Sequence, residues 1–290
     1  MLWGDLAVLL VALIWGATNV VIRDALEGIT PFWFCALRFI IAWITVMVFF
    51  GKRALKMPPK TKLTGIALGA VFICAYLVGA VALLYTTAGN QSFIISMSVV
   101  FVPLSVWFIT KKFPGWHVAA AVALCTAGMA GLMLDSALSV NIGDALCLLS
   151  MFFVTAYILL VQRYVRSADP YGLSCWQALG GMILALVAAV LFEPLPINLA
   201  TKAWIAVAYA GTIGFALTLV LQTAAQKYTN ATHVAILLST SGVFGSILGV
   251  IFIDEPMTWR IFTASGLILA GVLMVEAFPA LQKKVRSGTQ

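Results

Sequence analysis

The sequence predicts an all-α polytopic membrane protein: ten transmembrane helices as two inverted five-helix repeats, with both termini cytoplasmic. Three observations predict it. The chain is 63% hydrophobic and only 9% charged, against about 25% charged in soluble domains. Its charges fall in short clusters, and between them lie apolar runs of about 20 residues, the length that spans hydrocarbon as a helix. The chain also repeats itself. Ser96-Met97-Ser98-Val99-Val100-Phe101 returns 143 positions later as Ser239-Thr240-Ser241-Gly242-Val243-Phe244. At that offset Tyr85-Thr86 returns as Tyr228-Thr229, Trp116 as Trp259 and Ala127-Gly128 as Ala270-Gly271. At an offset of 139, Gly4-Asp5 returns as Gly143-Asp144, Leu9-Leu10 as Leu148-Leu149 and Pro31 as Pro170. The expected repeats are residues 1–137 and 138–290.

In chain order, the first span (4–22) carries Trp15 and, one turn later on the same face, Asn19. Asn19 there either hydrogen-bonds a ligand or bridges to a neighbouring helix. The second span (31–50) opens at Pro31, suited to a first helical turn. It contains Arg38, the single charge well inside a predicted span, which costs about 2.5–3.5 kcal/mol on insertion scales. Arg38 serves either a substrate carboxylate or, the favoured expectation, a structural pairing with Asp24 or Glu27. The third span (63–84) holds Tyr76 at mid-depth. A buried phenol needs a hydrogen-bond partner, and a ligand can supply it.

In the fourth span (90–110), Gln91, Ile95, Ser98 and Val102 share one helical face, while Ser92, Ser96 and Pro103 share another. The Gln91–Ser98 face is the candidate cavity wall. In a regular helix the two serines of one Ser-x-Ser diverge, so both are not expected at one narrow site. Pro103 is expected to kink this helix. The fifth span (115–135) begins at Trp116, and the sixth (144–163) carries Tyr157 at mid-depth. The seventh is 171–192, and the eighth (203–222) places Thr218 and Gln222 on one face. The ninth (232–253) holds Ser241 followed by Gly242, Gly245 and Gly249, a strip that allows close backbone contact and a sliding seam. The tenth is 258–278. Trp3, Trp33, Trp116, Trp204 and Trp259 fall near predicted interfaces and are expected as anchors.

Thirteen of the 17 Lys and Arg lie in the loops and tail on the side of the termini, Arg53, Lys62 and Lys227 among them. Arg23, Lys202 and Arg260 lie on the other. The positive-inside rule therefore puts both termini in the cytoplasm. That topology and anionic inner-leaflet lipid also explain the net charge of +7 without invoking nucleic acid. The five cysteines sit inside predicted spans without metal-ligand spacing and are expected as packing residues. No cofactor or metal is expected. Five helices per half, an odd number, relates the halves by a pseudo-two-fold axis in the membrane plane, with a site near mid-bilayer where they meet.

These features resemble the drug/metabolite transporter superfamily, specifically its EamA-type members. Trp15-Gly16, Pro31 and Arg38-Phe39 with Ala42 carry the resemblance in the first half. Gly143-Asp144, Ala156-Tyr157, Asp169-Pro170, Asp254-Glu255-Pro256 and Gly271 carry it in the second. The chain departs from many relatives at Val99 and Gly242, where they place proline, and at Lys111-Lys112, where they carry an acid. The resemblance implies a central cavity lined mostly by helices 1, 3, 4, 6, 8 and 9, and a substrate class of small metabolites, often amino acids, commonly moved outward.

No Asp or Glu falls near the middle of a predicted span, which disfavours strongly cationic substrates and a carboxylate-gated proton exchange. His233, at the inner start of the ninth span, is the deep-lying group able to titrate near neutral pH, with a structural role the plainer expectation. An enzyme would need a nucleophile, base or metal cluster that two histidines do not supply. A nucleotide-driven pump would need a P-loop, and a channel a charged ring or carbonyl filter; neither pattern is present. The expected function is secondary transport of small zwitterionic or neutral metabolites, with export of organic cations or drugs as the alternative. The expected location is a bacterial inner membrane, and a chain of this size needs no second copy to complete its bundle, although a dimer stays open.

Overall fold

The computed structural model describes residues 2–22, 29–82, 84–86, 91, 94–133, 142–196, 199–252 and 258–287. Among these residues there are helices and connecting turns and no strand. The helical elements are α1 (Leu2–Ile22), α2 (Pro31–Leu55), α3 (Pro59–Ala82) and α4 (Ile94–Thr110). They continue as α5 (Trp116–Met133), α6 (Ile142–Val165), α7 (Pro170–Phe192), α8 (Thr201–Ala225), α9 (Ala231–Phe252) and α10 (Trp259–Ser287). Six of them, α2, α3, α6, α7, α8 and α9, are long and apolar enough to cross a membrane. The apolar stretches of α1, α4, α5 and α10 are shorter. The large apolar side chains on the outside, such as Phe49 and Phe108 at 75% and 76% exposure, suit a lipid neighbour and not water.

Side chains that match the local backbone start these helices. Pro31 and Pro170 occupy first-turn positions, where the missing N–H has no helical partner to lose. The α7 start is capped by Asp169, whose carboxylate accepts the Gly172 N–H at 2.8 Å. The α2 start is capped from a distance. Glu193, just past α7, accepts from the Thr30 hydroxyl (2.5 Å) and from the N–H groups of Phe32 and Trp33 (3.0 Å each). A carboxylate there also opposes the positive end of the helix dipole. Asn230 caps α9 through the His233 N–H at 2.9 Å. The sequence places the longest interruption at residues 51–62, but α2 runs to Leu55 and α3 starts at Pro59, so only a three-residue turn separates them. Met57 N–H closes that turn on the Ala54 carbonyl.

Three of the predicted spans are not regular helices. α4 is interrupted by a turn at Met97 and α9 by one at Ser239, both inside the repeated Ser-x-Ser. The Ser239 and Thr240 hydroxyls bond back to the Ile236 and Leu237 carbonyls at 2.6 and 2.7 Å, competing with the helical ladder there. α8 widens into a π-helical segment over Thr212–Leu217, a wider helical turn often found at functional positions. Pro103 lies buried inside α4, and the interruption precedes it by six residues.

Packing rests on small residues. α2 packs on α7, α3 on α6 and α7, α1 on α8 and α9, and α5 on α10. At the α3–α7 crossing a methyl group on Gly69 would stand 1.8 Å from the Gln177 carbonyl oxygen, and one on Gly180 would stand 2.0 Å from that of Ile66. The α5–α10 contact uses Gly128 against Ala264 and Gly271 against Ala121. Backbones this close gain dispersion along their length, the main attraction between helices in lipid. The basic ends of several helices come together: Arg53 lies 3.6 Å from Asp169, and Lys227 and Lys62 donate to the Ala168 and Leu55 carbonyls.

Candidate functional site

A cavity of about 510 Å³ lies among the helices, a size suited to a small metabolite. Its wall draws on α1 (Trp15), α3 (Phe72, Ala75, Tyr76, Gly79, Ala80), α6 (Ser150, Val154, Tyr157, Ile158), α8 (Gln222) and α9 (Ala235, Leu238, Ser239, Ser241). Gln91 and, from α4, Ile95, Ser96 and Ser98 also line it. α2 adds Pro31, Phe34, Cys35 and Arg38, and α5 adds Met129. The resemblance implied a cavity lined mostly by helices 1, 3, 4, 6, 8 and 9; α2 is nonetheless one of the larger contributors.

Both serines of each Ser-x-Ser reach this wall, against the expectation for a regular helix. At Met97 and Ser239 the backbone tightens but stays right-handed helical (φ/ψ −60°/−8° and −62°/−21°), so the serines still diverge; the cavity is broad enough that Ser96 joins Ser98 and Ser239 joins Ser241 on its wall. Gln91 donates its amide to the Gly79 carbonyl, which ties the start of the fourth segment to α3 beside the cavity. Ser150 Oγ donates to the Ala75 carbonyl at 2.7 Å and closes the wall between α3 and α6.

The aromatic side chains form the other part of the wall. Tyr157, 1% exposed, stacks on Phe72 with ring centroids 4.3 Å apart. Its hydroxyl donates to Gln177 Oε1 at 3.2 Å, and Thr223 donates to the same oxygen at 3.2 Å. The Tyr157 ring therefore lines the cavity, while its hydroxyl is committed to α7. Trp15 Nε1 donates to Thr218 Oγ1 at 3.2 Å, and that hydroxyl bonds back to Gly214 and Phe215 within the π segment. Thr218 stands behind Trp15 instead of on the wall; Gln222, one turn on, is on it. Asn19 belongs to α1, but its side chain lies outside the described residues, as do Ser92, Asp24, Glu27 and Asp254-Glu255-Pro256.

Arg38 is buried at 8% exposure among rings: its Cζ sits 4.7 Å from the Tyr76 centroid and 5.5 Å from those of Phe34 and Phe215. No carboxylate among the described residues pairs with it. Among the predicted seam residues, Gly245 meets Gly16 across the α1–α9 contact, and Gly242 is half-buried just past the Ser239 turn. Trp33, expected at an interface, is instead 7% exposed in the core, whereas Trp3, Trp116 and Trp259 are exposed.

Sequence reasoning missed Ser150 and Gln177. Ser150 lies two turns before Tyr157 on one helical face, and Gln177 is an amide inside an apolar span, so both carried a readable signal. It also missed two contacts whose partners it had each noted as repeats. Thr229 donates to Asp5 at 2.5 Å, with His233 Nδ1 4.0 Å from the same carboxylate oxygen, and Thr86 donates to Asp144 at 2.7 Å. Asp5 is 4% exposed.

The sequence profile of the EamA-like transporter family matches residues 2–134 and again 141–277. The chain belongs to this family. Two proteins of Archaeoglobus fulgidus, each described as an uncharacterized transporter, are similar to it. One is 31% identical over 275 residues, 95% of this chain and 86% of its own length; the other is 27% identical over 280 residues, 92% and 95%. A chain known from a crystal structure shares the fold with a TM-score of 0.83 at 18% identity, over 95% of this chain and 96% of its own. This EamA-like chain is accordingly a multi-pass membrane transporter of small molecules.

Proposed function

We propose that this EamA-like protein is a secondary transporter that exports small zwitterionic or neutral metabolites, amino acids first among them, across a bacterial inner membrane. It works by alternating access around the central cavity. The observation that carries this reading is the cavity wall itself: repeat-related residues, Ser96 and Ser98 with Ser239 and Ser241, meet on one space at helix interruptions. Ten crossings, cytoplasmic termini and two inverted halves at 1–137 and 138–290 complete the scheme. Its support is that the packing partners exchange consistently when one half is swapped for the other. Gly128 on Ala264 becomes Gly271 on Ala121, and Asp5 with Thr229 becomes Asp144 with Thr86.

In this scheme Trp15, Tyr76, Gln91, Ser98, Tyr157, Gln222 and Ser241 surround the substrate, Asn19 and Thr218 stand beside them, and Gly242, Gly245 and Pro103 accommodate the motion of α9 and α4. Lipid is the surrounding partner and one copy suffices. The organic-cation alternative lacks support, because Arg38 puts a positive charge on the wall and no described wall residue is an acid. The test is counterflow in proteoliposomes preloaded with a pooled metabolite mixture, with labelled amino acids offered outside. Saturable uptake that depends on the matching internal compound is expected. Ohmic current across a planar bilayer with no counterflow overturns the carrier reading.

A further inference from the structure

Arg38 is the one charged side chain on the described cavity wall. A guanidinium buried to this degree ordinarily carries a carboxylate partner or a full set of hydrogen bonds. Among the described residues Arg38 has neither: none of their carboxylates pairs with it, and Nε and Nη2 are both buried and without a hydrogen-bond partner. What surrounds it is aromatic, with the faces of Phe34, Phe39, Tyr76 and Phe215 all within 5.7 Å of Cζ. Ring faces stabilise the delocalised cation and exclude water, but they accept none of its directed N–H bonds in the plane of the guanidinium. The planar fork of a guanidinium matches the two oxygens of a carboxylate, and that pairing is bidentate and charge-assisted.

We propose that Arg38 is the anion-binding subsite of the cavity and that the transported compound is recognised through a carboxylate paired with its guanidinium. The proposal rests on the transport reading above and narrows its substrate class. The carboxylate end sits in the ring cluster around Arg38, and the rest of the compound extends toward Gln91, Gln222, Ser98 and Ser241, whose neutral groups hold polar substituents. The bound charge balance then favours a compound with a free carboxylate, the zwitterion included, over an ester or an amine. A carboxylate neutralises Arg38, an ammonium group meets no acid on the described wall, and a cation without a carboxylate faces an uncompensated like charge. Esterification, which leaves the carbon skeleton but removes the anion, weakens recognition.

The test uses matched sets built on the alanine, leucine, phenylalanine and glutamine side chains: the amino acid, the deaminated acid, the amino-acid methyl ester and the decarboxylated amine. Each is scored by the thermal unfolding shift of the purified full chain in detergent, from which an apparent affinity follows. The acids and amino acids of at least one set are expected to bind at least about 10-fold more tightly than the matching ester and amine. R38K, which keeps the charge but loses the fork, is expected to weaken the acids about 10-fold or more and leave the esters unchanged. R38Q is expected to level the four compounds. The comparison of acid with ester is made on the unaltered protein, so it decides even where R38Q fails to fold. Esters or amines that bind as well as the acids, or R38K with wild-type preference, overturn the subsite. Counterflow separates the two levels: exchange of uncharged or cationic compounds alone removes the Arg38 proposal and leaves the carrier, while no exchange of any pooled compound removes both.

Discussion

At the scale of single residues, polar groups inside the membrane are expensive, so who satisfies them decides their role. Tyr157 stands where the sequence places it, at mid-depth in the sixth span, yet the sequence holds no information on which neighbour receives its hydroxyl. That depends on the rotation of α6 against α7, which places Gln177 Oε1 between the hydroxyls of Tyr157 and Thr223. The arrangement predicts an asymmetry. Tyr157→Phe removes one donor and leaves Gln177 held by Thr223, so it costs about 0.5–1.5 kcal/mol. Gln177→Leu removes the shared acceptor and strands two buried donors, at about 1–3 kcal/mol for each group left unsatisfied. Thermal unfolding in detergent ranks the two; Tyr157→Phe as the more harmful change would mean that the shared-acceptor geometry is incorrect. Tyr157→Ala also removes the ring stacked on Phe72 and belongs with large core deletions at about 3–5 kcal/mol. Arg38 shows the same limit: its depth is written in the chain, but its ring cluster joins α2, α3 and α8, which are far apart in sequence.

At the scale of elements, hydropathy located the helices well because the hydrocarbon imposes their length and internal hydrogen bonding. What it could not locate were the interruptions in α4, α8 and α9, since a turn at a serine costs little composition. The repeated Ser-x-Ser was visible, and its serines were legible as polar candidates, but the breadth of the cavity, which takes both members of each pair onto its wall, was not. The glycine strip of α9 was legible too, and its partner Gly16 was not. That contact yields a prediction in which two chemically equal substitutions differ. A methyl group on Gly16 would lie 2.7 Å from the Gly245 nitrogen and 2.8 Å from the Ser241 carbonyl oxygen, backbone atoms that cannot yield locally. A methyl group on Gly245 would find its nearest atom, Gly16 Cα, at an ordinary 3.7 Å. Gly16→Ala is therefore expected to cost about 1–3 kcal/mol, and Gly245→Ala about zero. Gly180→Ala belongs with the first and Gly266→Ala, with nothing within 4 Å, with the second. Unfolding temperatures of the four variants, measured side by side, check the pattern; equal losses at Gly16 and Gly245 would contradict the close α1–α9 crossing.

At the scale of the whole molecule, the alternating-access scheme needs the two ends of the bundle to open in turn, and the repeat supplies related fastenings for them. Asp5 of α1 accepts from Thr229 at the turn between α8 and α9, and Asp144 of α6 accepts from Thr86 after α3. Each joins one half to the other, and exchanging the halves converts one into the other. In the proposed orientation, with both termini cytoplasmic, the Asp5 contact lies at the inner end and the Asp144 contact at the outer. A hydrogen bond to a carboxylate contributes about 1.5–3 kcal/mol, so losing one is expected to shift the ratio of open to closed at its own end by about 10- to 100-fold. Thr229→Val is then expected to favour opening to the cytoplasm and Thr86→Val opening to the outside. Cys35, on the cavity wall, serves as the reporter in a variant that keeps it as the sole cysteine. A membrane-impermeant thiol reagent applied from each side of oriented vesicles should label Cys35 faster from the cytoplasmic side in the first variant and from the outer side in the second. Opposite shifts from two like substitutions cannot come from general destabilisation, which would speed labelling from both sides together. Parallel shifts, or none, would show that these contacts fasten the structure without setting the direction in which it opens.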